Sequence, residues 1–352
     1  MKIKKKKNIF FFTANRAEYG LQLSVMQALK KSDIVDYFLL ISGNHLDKRF
    51  GKTISEIIED DHKNIIKINS YNRYSHPAQM AISVSKIISK ITKLIDKLEP
   101  EVLVVHGDRS EALAATIAAH ENNIAIAHLE GGDATSGGTH DDNIRHAITK
   151  LAHLHFPTNN ISYKRLLLLG EEKWRVKMYG FTGLDLIKKK DFSKEAEIVK
   201  KYKLHKKQPI LICTFHPLSS NITETKKETE CSFRALKKIL KEHDLKCIIT
   251  YPNNDAGSNF ILEKIKKLES IFNNVKLFKS LGRKDYWGLL NLNKSKYRII
   301  CIGNSSSGIK ESSAFNCPTV NIGVRQEGRI AGKNVIQAKA DENDIYTSIM
   351  KC

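Results

Sequence analysis

The sequence predicts an α/β fold made of two doubly wound, Rossmann-like domains, and three observations support this prediction. Short apolar runs of strand length alternate with helical patterns along the 352-residue chain. The alternation stops at a charged, lysine-rich stretch near residues 186–207 and then starts again. The chain is also longer than a single compact core usually requires. We therefore predict one domain over residues 1–190 and a second over residues 191–352.

The first domain is expected to contain a parallel sheet, because its strands and helices alternate with short loops between them. Helices are predicted from near Ala17 and along the apolar face between Val84 and Leu98. Ser110 is the predicted N-cap of the alanine-rich helix EALAATIAAH. The predicted strands are NIFFFT (8–13), YFLLI (37–41), VLVVH (102–106) and IAIAHL (124–129).

The second domain repeats this alternation, and its strands are separated by helical lengths. The predicted strands are PILICTF (209–215), KCIITY (246–251), NVKLF (274–278), YRIICI (297–302) and PTVNI (318–322). Ligands of doubly wound folds bind beyond the carboxyl ends of the strands, so we expect an active site in a cleft between the domains. Candidate functional side chains follow the predicted strands of both domains, namely Arg16, His45, Asp108, Arg109, Glu130, His216, Asn253 and Asp255.

Composition argues against two classes of partner. The net charge of +20 suggests nucleic acid or an anionic membrane, but the lysines are spread along the whole chain and the aromatic residues lie mostly in apolar strands. No segment approaches the roughly 20 apolar residues that span a bilayer, and the run IFFF is too short for a secretory signal. The six cysteines form no CxxC pair. We expect a soluble cytoplasmic protein with reduced thiols and no nucleic-acid or membrane partner.

The segment GNSSSGIKESS has the features of a phosphate-binding loop. Its small residues enter a helix, where backbone N–H groups and the hydroxyls of Ser305, Ser306 and Ser307 can surround an anion beside Gly308. Glu311, one turn further on, is placed to accept hydrogen bonds from ribose hydroxyls. A serine-rich N-cap without a ligand is the alternative. ATP hydrolysis is not expected, because no Gly-Lys-Ser/Thr follows.

The segment from His128 to His146 concentrates acids in a lysine-rich chain. A metal site is one interpretation, but His153 and His155 are expected on a helix at a spacing that does not share a face, so no metal is predicted. Surface carboxylates without a role are another interpretation. Acids beside a phosphate site are suited to proton transfer, and arginines are suited to holding the anion. The candidate arginines are Arg16, Arg109, Arg145, Arg283, Arg325 and Arg329.

Eight motifs in order carry a family resemblance: TANRAEYG, HGDRSEALA, HLEGGD, DDNIRHAITKLAHLHF, TFHP, YPNNDAGS, GNSSSGIKE and NIGVRQEGRIAGKNV. From about residue 9 to residue 338 the chain resembles the hydrolysing UDP-N-acetylglucosamine 2-epimerases of sialic acid biosynthesis and their relatives in legionaminic acid biosynthesis. The resemblance implies a fold of the glycosyltransferase B type with the active site between the domains. It also implies a homodimer or tetramer that uses neither a metal nor a nicotinamide cofactor.

The resemblance assigns roles to several residues. Asp108, Glu130 and Asp141 match the family's catalytic carboxylates, and Asp142 shares or takes the role of Asp141 because one sequence leaves the register of the loop open. His216 matches a histidine near the diphosphate and the sugar. The residues that match substrate contacts are Arg16, Asn253, Asp255, Ser306, Ser307, Glu311 and Arg325.

The family reaction removes the C2 proton of the sugar, expels the nucleoside diphosphate from C1 to leave a glycal, and adds water to release the free 2-epimeric sugar. The loop GGDATSGGTHDD is longer and richer in glycine than that of the sialic acid enzymes. The substrate therefore stays open between UDP-N-acetylglucosamine and a UDP- or GDP-linked 2,4-diacetamido-2,4,6-trideoxyglucose. A non-hydrolysing epimerase and a glycosyltransferase on the same fold are the alternative functions.

Overall fold

Two six-stranded parallel sheets form the framework of the protein. The structure, a computed structural model, describes residues 6–47, 53–70, 77–135, 140–218, 221–253, 255 and 257–352. The chain divides into two compact units, and the division falls between Asp185 and Leu186. Helices connect most successive strands of both sheets, so the predicted class of two Rossmann-like domains is confirmed.

The sheet of the first unit has the strand order β3-β2-β1-β4-β5-β6. Its central strand pairs with β2 on one side and with β4 on the other, and its residues Phe10, Phe11 and Phe12 are at most 1% exposed. A strand buried on both faces takes a continuous apolar run, which explains the sequence NIFFFT. The six strands are β1 (Lys7–Thr13), β2 (Val35–Ile41), β3 (Ile65–Lys67), β4 (Val102–His106), β5 (Ala125–Leu129) and β6 (Leu154–Phe156).

The helices of the first unit cover this sheet with apolar faces. On the third helix Ile87, Ile91 and Ile95 recur at helical spacing, and they pack into one core with the buried alanines of the fourth helix. None of the helices in the described ranges has the length and apolar composition to cross a lipid bilayer. The helices are α1 (Arg16–Leu29), α2 (Ile54–Glu59), α3 (Pro77–Leu98), α4 (Ser110–Glu121), α5 (His140–Leu151), α6 (Asn160–Leu168) and α7 (Gly183–Lys188), the last of which spans the division.

The second unit repeats the topology, with the strand order β12-β11-β10-β7-β8-β9. Its strands are β7 (Ile210–Thr214), β8 (Lys246–Thr250), β9 (Val275–Phe278), β10 (Ile299–Gly303), β11 (Thr319–Ile322) and β12 (Val335–Ala338). Its helices are α8 (Glu195–Tyr202), α9 (Ile222–Glu242), α10 (Ser258–Ile271), α11 (Gly282–Asn291), α12 (Ser306–Lys310) and α13 (Glu342–Met350). Short 3-10 helices lie at Gly43–Leu46, Leu292–Ser295 and Ser312–Phe315.

Three short strands, β3, β6 and β12, were not predicted from the sequence. Each lies at the edge of its sheet and has three or four residues, too few to show a periodic apolar pattern. The helical placement of His153 and His155 is wrong, because α5 ends at Leu151 and His155 lies within β6. Helix α4 begins at Ser110 and its N-cap residue is Arg109, so the predicted N-cap is wrong by one residue.

We predict that Gly303→Ala will destabilise the second unit more than Gly257→Ala. Both glycines have positive φ, +130° at Gly303 and +92° at Gly257. A Cβ at Gly303 would also overlap the carbonyl oxygen of Thr214, whereas at Gly257 the nearest side-chain atoms lie 3.3 Å away. We expect losses of roughly 2–4 kcal/mol and about 1 kcal/mol in the free energy of unfolding, measured by urea denaturation. Equal losses would show that close approach to β7 does not constrain this position.

Candidate active site

Glu130 follows β5 directly and has a strained backbone. Its φ is +63°, which is unfavourable for a residue with a Cβ, and its backbone N–H donates to the carbonyl of Phe156 at 3.1 Å. Gly132 is also left-handed, and a Cβ there would overlap the carbonyl oxygen of Ser162. The carboxylate of Glu130 is held in a mostly buried position, 9% exposed. Backbone strain of this kind concentrates at functional sites.

Two histidines connect Glu130 to the loop after β4. The Nε2 atom of His106 lies 3.6 Å from Oε2 of Glu130. Burial lowers the pKa of His128 to about 3, so its ring is neutral at physiological pH. Because Nε2 of His128 lies 2.8 Å from the carbonyl of Gly107, it carries the ring proton and donates it there. This hydrogen bond ties β5 to the loop that presents Asp108.

Arg145, on α5, binds two of the candidate acids. Its guanidinium donates to Oδ2 of Asp108, to Oδ1 of Asp142 at 2.6 Å and to the carbonyl of Asp133 at 3.0 Å. Arg145 is only 2% exposed, and a buried guanidinium is stable only where acceptors balance its charge. This environment differs from the diphosphate contact expected for Arg145, since protein acids already engage it. The arginine fixes Asp108 relative to α5.

Asp141 and Asp142 are neighbours in the first turn of α5 but have different surroundings. Asp142 is 4% exposed and bound to Arg145, whereas Asp141 is partly exposed. Among the described residues, no hydrogen bond or ion pair engages the carboxylate of Asp141. Part of the predicted acidic loop, residues 136–139, lies outside the described residues. The structure thus makes Asp141 the more accessible of the two acids.

The remaining candidates of the first unit occupy different environments. Arg16 is the partly buried first residue of α1, and Nε of Arg109 lies 3.7 Å from Oε2 of Glu111. His45 is 1% exposed, and its ring nitrogens lie 3.0 Å and 2.8 Å from the hydroxyls of Thr13 and Thr53. Burial lowers the pKa of His45 to about 3. Both ring nitrogens of this candidate functional residue are thus engaged by threonine hydroxyls.

Glu18 is a site residue that the sequence analysis missed. It forms a capping box with Asn15: the backbone N–H of Glu18 donates to Oδ1 of Asn15, and Glu18 Oε2 accepts from the backbone N–H of Asn15. The same oxygen accepts from the N–H of Ala14 at 2.7 Å. The signal was present in the sequence Asn-Arg-Ala-Glu, in which the acid lies three positions after the asparagine that precedes the helix. Glu18 therefore fixes the turn on which Arg16 lies.

Burial shapes the charge of Glu18. Its side chain is buried, and this desolvation raises the pKa of Glu18 to about 8. The carboxylate of Glu111 raises the pKa further, while hydrogen bonds from Ala14 and Asn15 and the charge of Arg109 lower it. At neutral pH the buried group therefore retains a proton for much of the time.

In the second unit, His216 follows β7 and is fixed in one tautomer. Its Nδ1 accepts from the backbone N–H of Asn253 at 3.0 Å, so the proton of the neutral ring lies on Nε2. The side chain of Asn304 hydrogen-bonds to both backbone groups of His216, at 2.7 Å to its N–H and 2.9 Å to its carbonyl. Asp255 is partly exposed in the same loop as Asn253. Asn304 was missed as a site residue because it reads as one polar residue in GNSSSG.

The serine loop begins at Ser305, the N-cap of the five-residue helix α12. The hydroxyls of Ser305 and Ser307 lie 2.9 Å apart, and Ser306 and Ser307 form the first turn, whose N–H groups have no partner within the helix. Gly308 is buried against Thr319. Oε2 of Glu311 accepts from the indole N–H of Trp287 at 2.5 Å.

The turn that contains Arg325 is stabilised by a hydrogen bond to Glu228, a buried acid on α9. Oε1 of Glu228 accepts from the backbone N–H of Val324 at 3.1 Å. Gly323 has φ +72°, and a Cβ there would overlap the carboxylate of Glu228. Burial raises the pKa of Glu228 to about 7. Nη1 of Arg325 donates to the backbone carbonyl of Asn304 at 3.1 Å, which joins this turn to the serine loop.

The histidines considered for a metal site have other partners. His155 Nε2 lies 3.0 Å from Oε2 of Glu171, and Glu171 also binds Lys150 and Arg175. His153 Nδ1 accepts from the backbone N–H of Ile126 at 3.1 Å. Across the described ranges, no group of three or more His, Cys, Asp or Glu residues is arranged to hold a metal ion.

Solved structures share this pair of sheets. The UDP-GlcNAc 2-epimerase of Neisseria meningitidis, solved bound to UDP-GlcNAc, superposes with a TM-score of 0.78 at 18% identity over 98% of this chain and 91% of that chain. An epimerase from Methanocaldococcus jannaschii, solved with UDP-GlcNAc and UDP, gives a TM-score of 0.76 at 16% identity over 99% and 92%. At such identities the likeness shows the fold.

Sequence comparison goes further than the fold. The chain belongs to the UDP-N-acetylglucosamine 2-epimerase family, whose model matches residues 27–352. It is 33% identical to the GDP/UDP-N,N'-diacetylbacillosamine 2-epimerase (hydrolyzing) of Campylobacter jejuni over 96% of this chain and 86% of that protein. It is 31% identical to the UDP-N,N'-diacetylbacillosamine 2-epimerase (hydrolyzing) of Legionella pneumophila over 97% and 88%. The family resemblance inferred from the motifs is thereby confirmed.

We predict that Glu18→Gln will change the pH dependence of stability. Between the ordinary pKa of 4.5 and its folded value of about 8, the folded protein holds a proton that the unfolded chain has lost. This proton makes the free energy of unfolding of the wild type fall as pH rises, by up to about 1.4 kcal/mol per pH unit. Glutamine does not titrate, so the free energy of unfolding of the variant relative to that of the wild type increases with pH up to about pH 8. At higher pH this difference stays constant.

Urea unfolding of both proteins from about pH 5 to pH 9 measures this difference. The contribution of Glu228 is present in both proteins and cancels in the comparison. A difference that stays constant across the range would contradict the shifted pKa of Glu18.

Proposed function

We propose that the protein is a hydrolysing nucleotide-sugar 2-epimerase. The observation that carries this proposal is the set of acids at neighbouring strand ends: Asp108 after β4 and Glu130 after β5, with Asp141 in the first turn of α5. Arg145 hydrogen-bonds to Asp108, and His128 hydrogen-bonds to the carbonyl of Gly107, so these elements are held together. Epimerisation through an eliminated intermediate needs more than one positioned proton carrier, and this unit supplies three.

The proposed reaction is an elimination followed by hydration. One carboxylate removes the C2 proton, the C1–O bond breaks with its electron pair on the departing diphosphate, and a C1–C2 double bond forms. An acid then returns a proton to the opposite face of C2, while water adds its hydroxyl to C1 and gives its remaining proton to a carboxylate. Because the proton leaves from one face and returns to the other, two different groups must serve, which fits the separate positions of Asp108 and Glu130. The products are a free manno-configured sugar and a nucleoside diphosphate.

The second set of residues is proposed to bind the nucleotide of the same substrate molecule. Arg325, the first turn of α12 and Arg16 supply charge and donors for the diphosphate. The Nε2–H of His216 is oriented by Asn253 as a donor toward the same anion, and Glu311 is assigned to the ribose hydroxyls. Neutralising the diphosphate favours its departure. Arg109, Asp255, Ser305 and Gly308 remain proposed substrate contacts.

The sugar is proposed to be UDP-N-acetylglucosamine or a UDP- or GDP-linked 2,4-diacetamido-2,4,6-trideoxyglucose, in a sialic or legionaminic acid pathway. The relatives from Campylobacter jejuni and Legionella pneumophila are hydrolysing enzymes named for diacetylbacillosamine nucleotides, and they support this choice. The Neisseria meningitidis relative, 28% identical, is named for UDP-N-acetylglucosamine and supports the other. Elimination and hydration leave the overall oxidation state of the sugar unchanged, so the proposed reaction needs no redox cofactor.

We also propose a cytoplasmic homodimer or tetramer. Five of the six cysteines are buried and all six are free thiols, which agrees with a reducing compartment. Sγ of Cys213 lies 3.6 Å from Sγ of Cys247, a contact between thiols.

Light scattering of the purified protein measures the proposed oligomeric state. A monomer at micromolar concentration would contradict the proposed homodimer or tetramer.

Product analysis tests the function. The purified protein is incubated separately with UDP-N-acetylglucosamine and with the UDP- and GDP-linked diacetamido trideoxy sugars, and each reaction is followed by proton and phosphorus NMR. Free nucleoside diphosphate together with a free manno sugar supports hydrolytic epimerisation. Epimerisation without diphosphate release indicates a non-hydrolysing enzyme, and absence of turnover reopens the glycosyltransferase alternative.

We expect Asp108→Asn, Glu130→Gln and Asp141→Asn each to lower kcat by about 10²–10⁴ while leaving the circular dichroism spectrum unchanged. Each change removes a proton carrier but keeps the shape of the side chain. Glu101→Gln is the matched control. Glu101 precedes β4 at the amino end of the strand, away from the candidate acids, and it is paired with Lys7 on the surface. Full activity in all three acid variants would refute the catalytic assignment.

The two neighbouring acids of α5 should respond differently to the same change. Asp142→Asn weakens a buried ion pair with Arg145, so we expect it to lower the free energy of unfolding by about 1–3 kcal/mol. Asp141→Asn should leave stability nearly unchanged and lower kcat more. Thermal melting and steady-state kinetics of both variants decide this, and the reverse ranking would make Asp142 the catalytic acid.

A further inference from the structure

Asn304 lies at the point where three loops of the second unit meet. It follows β10 and precedes the serine loop, and it is 5% exposed. Its side chain makes a reciprocal pair with the peptide of His216: Oδ1 accepts from the His216 N–H at 2.7 Å, and Nδ2 donates to the His216 carbonyl at 2.9 Å. These two bonds hold the loop after β7 against the end of β10.

The backbone of Asn304 is also fully engaged. Its N–H donates to the carbonyl of Thr214 at 3.2 Å. Its carbonyl accepts from Nη1 of Arg325 at 3.1 Å and from Nε2 of Gln326 at 2.9 Å. Asn304 therefore joins the loop that carries His216, the serine loop and the turn that carries Arg325.

We propose that Asn304 is a positioning residue that sets the imidazole of His216 and the guanidinium of Arg325 for the departing diphosphate. The inference rests on the proposed function, because His216 and Arg325 act on the diphosphate there. Asn304 itself acts through the peptide of His216. When that peptide is fixed, Nδ1 of His216 meets the N–H of Asn253, and Nε2–H remains the donor.

The chemistry of the amide accounts for asparagine at this position. A donor and an acceptor on one short side chain are needed to match the N–H and the carbonyl of one peptide. Aspartate keeps the acceptor but presents an oxygen to the His216 carbonyl, and alanine removes both bonds. The order of function is therefore expected to be asparagine, then aspartate, then alanine.

The test is a double-mutant cycle with His216→Ala. Asn304→Ala should lower kcat by about tenfold or more with a smaller change in KM, since misplacing a catalytic group costs mainly turnover. In the His216→Ala background the same change should alter kcat by less than about twofold, because the side chain of Asn304 acts on His216, whereas Arg325 contacts the Asn304 backbone carbonyl, which alanine retains. Losses that multiply would show that Asn304 affects only the fold or an unrelated step.

Two further variants separate this role from stability. Asn274→Ala removes a comparable hydrogen bond from a side-chain amide, 2.7 Å to the carbonyl of Leu245. This bond lies at the amino ends of the strands, so the change should leave kcat unchanged. Asn304→Asp is nearly isosteric and keeps one of the two bonds, so it serves if Asn304→Ala does not fold. Loss of kcat in Asn274→Ala equal to that in Asn304→Asp would overturn the proposal.

A measurement without substrate keeps this inference distinct from the proposed function. In full-length protein labelled with ¹⁵N-histidine, His216 should show the Nε2–H tautomer, assigned by its loss in His216→Ala. In Asn304→Asp or Asn304→Ala the ring signals should move toward a mixture of tautomers. Unchanged ring signals would refute the positioning role even if the enzyme is active. If the wild type turns over none of the nucleotide sugars, the proposed function fails while this measurement still decides whether Asn304 sets the ring.

Discussion

Parallel pairing of buried strands is the constraint on which the candidate site depends. In the first unit β1, β4 and β5 run side by side, so their carboxyl ends reach one edge of the sheet within a few residues of each other. Backbone groups at that edge are no longer paired within the sheet, and the loops there can carry polar chemistry. Asp108 and Glu130 follow adjacent strand ends because Leu129 and His106 are paired.

Two buried charged side chains among the described residues have partners that balance their charge. Arg145 lies among two carboxylates and a carbonyl, and Glu171 among two cations and a histidine. Each unit also has a buried acid that accepts backbone N–H groups beside a candidate arginine: Glu18 beside Arg16, and Glu228 beside Arg325. Because a buried carboxylate has raised pKa in both places, neutral and charged forms interchange close to physiological pH.

Much of the candidate site was predictable, since functional side chains follow apolar runs that are visible in the sequence. The candidate residues Asp108, Glu130 and His216 lie one or two positions after the ends of strands. The environments of Arg145 and His45 were not predictable, because contacts over 37 and 32 positions in the chain decide whether a polar side chain faces a ligand or another residue. Asn304 was missed for the same reason, as its partner His216 lies 88 positions away.

The sequence by itself determined the fold class, the long central strands, the amphipathic and alanine-rich helices and the family, because periodicity and ordered motifs are local properties of the chain. Only the tertiary structure decided the short edge strands, the separation of Asp141 from Asp142 by the ion pair with Arg145, and the tautomer of His216. Each of these depends on which distant group approaches a given atom. The physical reason is that burial and hydrogen-bond pairing arise when elements pack together, after local propensity has formed them.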